Sequence, residues 1–212
     1  MNHRVRLMRY GRVLAQPVGG LLFGTDYDPD QPRDPAGRWG EGGFGGHAES
    51  KPKDEPSSDS PAYASLKTMP SSIEGVSIQK KPLQGSMLAI GGSSGIAVST
   101  SRRAGAAWKD MEAYQKKAFE AGWSSSPHPN HVIWHELAHV KVKNDPNVNE
   151  SYLTNLHGLS NPHFKTIASK VSKYAGTNGH EFVAEVYAAR RAGRKFDADV
   201  MDFYKGLKGP AV

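Results

Sequence analysis

The sequence predicts an α+β domain, with a small N-terminal sheet followed by helices, preceded by a disordered leader. Three observations predict this architecture. Composition changes near residue 70, short β-type segments follow that point, and apolar residues then recur at helical spacing up to the end of the sequence. Because the strands precede the helices instead of alternating with them, the order favours an α+β domain over a strand–helix–strand array.

The leader divides into two parts. Residues 1–23 form a basic N-terminal arm with four Arg and no acidic residue. Residues 24–70 form a linker in which about a third of the positions between Gly24 and Pro61 are Gly or Pro. Such a segment loses backbone entropy on folding and buries little apolar surface, so we expect it to be disordered. Residues 71–212 are long enough to bury a core and are predicted to form the globular domain.

Composition excludes several classes of protein. The sequence has no Cys, which excludes disulfide scaffolds, Cys-ligated zinc, iron–sulfur clusters and thiol catalysis. No apolar run approaches the ~18 residues of a membrane span, and the basic arm lacks the apolar core of a signal peptide. The compartment therefore stays undetermined. The net charge of +6 is spread along the chain without a recognition motif, so we expect no specific nucleic-acid partner, and a steep salt dependence of DNA binding would argue otherwise.

Three short strands are predicted early in the domain, over Val76–Gln79, Ser86–Ile90 and Gly95–Thr100. The last two flank Gly91-Gly92-Ser93-Ser94-Gly95, which predicts a hairpin with a five-residue turn. A phosphate-binding loop is the alternative for this glycine cluster, but the cluster matches neither the Gly-x-Gly-x-x-Gly pattern nor the P-loop pattern with its Lys-Ser/Thr. We expect the strand Gly95–Thr100 to be exposed, where it either binds an extended peptide by β-augmentation or is an ordinary hairpin strand.

Helical periodicity and helix-capping residues predict five helices in the rest of the chain. They run from Arg103 to Ala121 with a stop at Gly122, from the N-cap Asn130 to about Lys143, from Asn161-Pro162 to Tyr174, from about His180 to Ala192 with a stop at Gly193, and from Asp197 to Leu207.

The second of these helices contains the motif His135-Glu136-Leu137-Ala138-His139. Residues four apart stand on one face of a helix, so the two imidazoles can bind one zinc ion. Glu136 lies beside the metal, where it can accept a proton from an activated water and deliver it to a leaving amine. The alternative is a helix with two histidines and no metal.

A zinc site needs a third ligand, and the downstream candidates are His157, His163, Glu150, Glu181 and Glu185. No third His stands at the metzincin spacing, where Asn144 and Asp145 occur instead. Glu181 and Glu185 lie on one face of a later helix, so one can bind the metal while the other holds a ligand imidazole. Without a metal they would be two like charges on a solvated helix face.

The run from Tyr174 to Glu185, Tyr-Ala-Gly-Thr-Asn-Gly-His-Glu-Phe-Val-Ala-Glu, resembles the catalytic segment of the anthrax lethal factor family. The resemblance extends over roughly Gly85 to Leu207 and is close only around the two motifs. It implies a zincin-like metallopeptidase domain that binds one Zn²⁺ ion. The implied roles are zinc ligands for His135, His139 and Glu181, general base for Glu136, oxyanion or leaving-group stabilisation for Tyr174, and a second, supporting carboxylate for Glu185.

Two residues of that run keep other interpretations open. Tyr174 stands seven residues before Glu181, as in the family, but a core residue at a helix end would look the same. His180 is expected to be a surface residue and not a ligand. The chain lacks the large substrate-docking and translocation regions of the family prototype, so the resemblance identifies no substrate.

The linker shows a second resemblance. Its segment Asp30–Trp39, followed by Gly-rich sequence, is similar to tails and linkers of head- and portal-associated proteins of tailed bacteriophages. This similarity implies a phage or prophage origin, with phage virion components as partners and a location in the virion or the host cytoplasm.

The sequence thus predicts a zinc-dependent endopeptidase that acts on protein or peptide substrates. The alternative is a non-enzymatic virion or interaction protein that carries a structural or degenerate zincin domain. Under either interpretation the leader is a candidate targeting arm or removable pro-segment.

Overall fold

The computed structural model describes residues 20–22, 66–83 and 87–212. Most of the basic arm and residues 24–65 of the predicted disordered linker lie outside these residues. Residues 66–70 of that linker are described, with 66–68 helical, so the prediction of disorder is wrong there. The described part has mixed α+β architecture, with strands first and helices after them, as predicted. The strands are β1 (Gly20–Leu22), β2 (Ser72–Ile73), β3 (Val76–Lys81), β4 (Met87–Gly92) and β5 (Gly95–Ser99).

Seven α-helices and one short 3₁₀ helix are found in the part of the chain that the structure describes after β5. They are α1 (Arg102–Lys109), α2 (Met111–Glu120), α3 (His131–Asn144), α4 (Glu150–Asn155), α5 (Pro162–Ser169), the 3₁₀ helix Tyr174–Gly176, α6 (Gly179–Arg191) and α7 (Ala198–Gly206). None of the helices among the described residues is long and apolar enough to span a bilayer.

The sheet has the strand order β1-β4-β5-β3, with the two-residue β2 paired to the outer side of β3. The predicted β4–β5 hairpin is confirmed, but its turn is shorter than predicted because Gly92 and Gly95 already pair. Strand β5 pairs with β4 on one side and runs parallel to β3 on the other. The expectation that Gly95–Thr100 is an exposed strand open to β-augmentation is therefore wrong, since both of its edges are hydrogen-bonded.

Two predicted helices are shorter than their apolar periodicity suggested. The segment predicted to form one helix from Arg103 to Ala121 is divided at Asp110, whose side chain accepts a hydrogen bond from the amide of Ala113 and so begins α2. The helix predicted to reach Tyr174 ends at Ser169. In both places a polar side chain or a turn satisfies backbone groups that a continuous helix would have used, which periodicity alone does not reveal.

The helix ends predicted at two glycines are observed, whereas a predicted N-terminal cap is not. Gly122 and Gly193 have φ of +73° and +87° and follow the ends of α2 and α6, as predicted. Asn130 precedes α3, but its side chain makes no capping hydrogen bond, contrary to prediction. Helix α4 was not predicted; this six-residue helix begins where the side chain of Asn149 accepts a hydrogen bond from the amide of Tyr152.

Helix α3 is the central element of the domain because it contacts the sheet through β4 and β5 and packs against α6 on another side. Most of its residues are buried, as are residues 179–189 of α6. Helices that are buried on nearly all sides place any polar side chain they carry in a low-dielectric environment. Leu66, five residues before the predicted domain boundary, also lies in this core.

Gly91 permits the close contact between β4 and α3. A Cβ atom at this position would lie 2.3 Å from the backbone oxygen of Glu136 and 3.0 Å from the Cβ of His139. Such a distance is far inside van der Waals contact, so only glycine allows the strand to approach the helix this closely.

We therefore expect Gly91→Ala to lower the free energy of unfolding by about 1–3 kcal/mol, the usual cost of overpacking a core. Gly92→Ala is the matched control, because a Cβ there meets no atom within 4 Å. Urea denaturation of the two variants measures the difference. Equal midpoints for the two variants would contradict the proposed steric constraint.

Candidate metal centre

Helices α3 and α6 present ionisable side chains to each other at their interface. His131, His135 and His139 lie one turn apart on α3, and Glu181 and Glu185 lie one turn apart on α6. The exposed fraction of each of the five residues is 3% or less. The alternative in which Glu181 and Glu185 lie on a solvated helix face is therefore wrong.

Three of these side chains converge on one point, and they are the three predicted as ligands. The Nε2 atoms of His135 and His139 are 3.1 Å apart, and Oε2 of Glu181 lies 2.9 Å from the first and 3.4 Å from the second. Zinc–ligand bonds of about 2.0–2.1 Å in tetrahedral geometry separate neighbouring ligand atoms by about 3.3 Å. The observed triangle therefore has the dimensions of three vertices of such a tetrahedron.

Glu185 binds the opposite side of His135. Its Oε1 atom lies 3.0 Å from Nδ1 of His135 and 2.9 Å from Nε2 of His131. Its Oε2 atom accepts hydrogen bonds from the amide of Ser125 at 2.7 Å and the hydroxyl of Ser172 at 2.9 Å. Glu185 thus holds the second nitrogen of a candidate ligand imidazole, the position expected for one of the two carboxylates of this helix.

The charges of Glu181 and Glu185 and the protonation of His135 explain why this cluster suits a cation. Burial opposes ionisation of Glu181 and Glu185, but the neighbouring histidines outweigh it and hold the pKa of both carboxyls well below the usual range. An ionised Glu185 accepts a hydrogen bond from the Nδ1–H group of His135, so Nε2 of the same ring faces the carboxylate of Glu181. Two lone pairs at 2.9 Å repel unless a proton or a metal ion lies between them.

The pKa of His135 agrees with this requirement. Burial disfavours its charged form, but hydrogen bonds to Glu181 and Glu185 and their negative charges outweigh that effect and raise the pKa to about 10. The site therefore attracts positive charge strongly. A divalent ion bound by these three residues would replace the proton on His135. The identity of the ion is not fixed by these contacts.

A second group of side chains is also close enough to hold a metal ion. It consists of His131, His135 and Glu185, whose ligand atoms lie within 4.8 Å of one another. However, both oxygens of Glu185 already have two hydrogen-bond partners each, so the group of His135, His139 and Glu181 fits a metal better. His131 was not among the residues predicted for the site, although its position four residues before His135 places it on the same helical face.

The side chain of Glu136 contacts strand β4 of the sheet. Its Oε2 accepts a hydrogen bond of 2.5 Å from the amide of Gly91 on β4. Its Oε1 is buried and has no hydrogen-bond partner among the residues the structure describes. Burial raises the pKa of Glu136 above its usual range, and the nearby His139 and His135 oppose this only in part.

Tyr174 lies at the start of the 3₁₀ helix that precedes α6. Its ring centroid is 5.7 Å from that of His135, and the residue is 8% exposed. The structure therefore brings Tyr174 to the imidazole cluster. The burial also fits the other interpretation, in which the residue belongs to the core.

The remaining candidate ligands lie elsewhere. Nδ1 of His157 is 2.8 Å from the carbonyl oxygen of Thr177, and the ring of His163 packs against Phe203. His180 is 1% exposed, so the expectation that it is a surface residue is wrong. Its Nε2 atom faces Thr154 at 3.2 Å and Glu150 at 3.4 Å, because the first turn of α6 is covered by α4, which the sequence analysis missed.

Comparisons with known proteins do not extend these observations. No family model, no curated protein and no solved structure matches this chain.

We expect the purified chain to bind one zinc ion per molecule, and His139→Ala to lose most of it because two ligands remain. Elemental analysis after dialysis against buffered zinc measures the stoichiometry. His163→Ala is the control, since its exposed ring lies outside the cluster. Equal zinc content in the two variants would argue against the assigned ligand set.

Proposed function

We propose that this chain is a zinc-dependent endopeptidase that cleaves protein or peptide substrates. The observation that supports it most is the buried triangle of His135, His139 and Glu181 beside a carboxylate, Glu136, that is not needed as a ligand. Three protein ligands leave one tetrahedral position open, which is typical of catalytic zinc sites, whereas structural sites use four. The choice of a peptide bond rests on the resemblance to the lethal factor family.

In this proposal His135 and His139 hold the metal through Nε2, and Glu181 holds it through a carboxylate oxygen. A bound zinc ion would supply Lewis acidity, which polarises a carbonyl and lowers the pKa of water. Glu185 keeps the Nδ1 proton on His135, which directs the lone pair of Nε2 toward the metal position.

Glu136 is the proposed general base. The amide of Gly91 fixes Oε2, so Oε1 would accept a proton from the attacking water and later donate it to the leaving amine. The raised pKa of Glu136 makes its carboxylate a stronger base than a solvated glutamate. Tyr174 would donate its hydroxyl proton in a hydrogen bond to the oxyanion that develops on the substrate carbonyl.

The complete burial of the cluster favours a second candidate, an interaction or virion protein in which the metal is structural. Glu136 is fully buried, as is His135, whereas a peptidase must admit its substrate to both. The two candidates differ in a simple way. A structural metal would stabilise the fold, and no peptide cleavage that depends on Glu136 would be observed. A catalytic metal would give such cleavage.

We expect Glu136→Gln to keep its zinc and to lose about 10³-fold or more of peptidase activity, because base and acid functions are lost together. A mixed library of quenched fluorescent peptides provides the substrate, and elemental analysis checks the metal. Mass spectrometry of both proteins also tests whether the leader is removed by self-cleavage. Equal cleavage by the wild type and this variant would exclude Glu136 from the mechanism.

We expect Tyr174→Phe to lower kcat by about 10²–10³-fold, the usual effect of removing one oxyanion donor. The change in KM should be small, since the hydroxyl acts mainly in the transition state. Tyr152→Phe, at an exposed position on α4, is the control. An unchanged kcat in Tyr174→Phe would assign this residue to the core alone.

A further inference from the structure

We propose that the hydroxyl of Ser172 is a positioning group that couples the proposed metal ligand His135 to the turn that carries Tyr174. The inference rests on the proposed function, because it assigns how two parts of the same site are held together. Ser172 was not singled out by the sequence, and the hydrogen bonds of its hydroxyl among the described residues go to Glu185 and Ala175, neither of them a proposed ligand.

The hydroxyl of Ser172 makes two different hydrogen bonds at the same time. It donates to Oε2 of Glu185 at 2.9 Å and accepts the amide N–H of Ala175 at 3.0 Å. A serine hydroxyl has one proton to donate and lone pairs to accept, so both bonds are compatible. Ser172 is buried, and water therefore does not compete readily for either bond.

Each of these bonds leads directly to a site residue. On one side, Glu185 holds Nδ1 of His135 at 3.0 Å and so determines which imidazole nitrogen faces the metal position. On the other side, Ala175 follows Tyr174 in the 3₁₀ helix, and its amide belongs to the first turn, which lacks partners within the helix. Ser172 supplies the missing acceptor and thereby fixes the turn.

The position of Ser172 is itself fixed by Arg194. This guanidinium donates to the carbonyl oxygens of Lys170 and Val171 at 2.9 and 3.1 Å, immediately before Ser172. It also donates to the carbonyl of Ser125 at 2.8 Å, the residue whose amide binds Glu185. The two segments that surround the Glu185 carboxylate are thus tied to one side chain, which makes the geometry around Ser172 rigid.

Zinc affinity of the full chain provides the first test. Ser172→Ala should weaken zinc binding by up to about 10-fold, since removing a group that contacts a ligand directly costs about 10–100-fold and Ser172 acts through Glu185. Ser172→Thr, which retains the hydroxyl, should bind zinc nearly as the wild type does. Ser124→Ala is the matched control, since Ser124 is equally buried but its hydroxyl bonds the carbonyl of Ser126. Competition with a chromophoric chelator measures all three.

The route through Glu185 is tested by a double-variant cycle. In a Glu185→Gln background, Ser172→Ala should change zinc affinity less than it does in the wild type, because the same link is already weakened. Equal affinity of Ser172→Ala and Ser124→Ala, or a fully additive cycle, would overturn the proposal.

A second readout uses the metal-free full chain, so that failure of the proposed function does not obscure the result. In Ser172→Ala the amide of Ala175 should exchange with solvent faster, and the ¹⁵N resonances of the His135 ring should shift. The resonances of His163 serve as the internal reference. If neither the Ala175 amide nor the His135 ring changes, the coupling does not exist, whether or not the chain binds zinc.

Discussion

The interface between α3 and α6 depends on mutual neutralisation of buried charge. Isolated carboxylates and imidazolium ions are costly to bury, and removing one partner of a buried pair commonly costs several kcal/mol. Here the cost is offset because Glu181 and Glu185 face His131, His135 and His139 at hydrogen-bond distance. The same arrangement brings Nε2 of His135, Nε2 of His139 and a carboxylate oxygen of Glu181 together, so a metal ion bound there would compete with a proton for one position.

The rest of the fold determines what each face of α3 can do. Successive residues of a helix point about 100° apart, so His135 faces α6 while Glu136 faces the sheet. Gly91 lets β4 approach closely enough for its amide to bind Glu136. The side chains proposed as ligands are therefore positioned by the contact with α6, and the proposed base by the contact with β4, and α3 is buried on both of these sides.

The extent to which the sequence predicted the site differs from residue to residue. Residues four apart in a helix lie on the same face. The sequence therefore predicted that His135 shares a face with His139, and that Glu181 shares one with Glu185. The resemblance to the lethal factor family implied that α3 and α6 bring these residues together, and the two helices are in contact in the structure. His131 was missed although the same spacing includes it. His180 was misplaced because its burial depends on α4, a helix too short to show a periodic pattern.

The sequence by itself determined the local features: the order of strands and helices, the stops at Gly122 and Gly193, and the faces on which the ionisable residues stand. Each of these follows from backbone conformation within a few residues. Only the tertiary structure decided that β5 lies in the middle of the sheet, that Glu136 binds a strand amide, and that Ser125, Ser172 and Arg194 surround Glu185. Those relations join residues far apart in the chain, and no local periodicity or propensity specifies such distances.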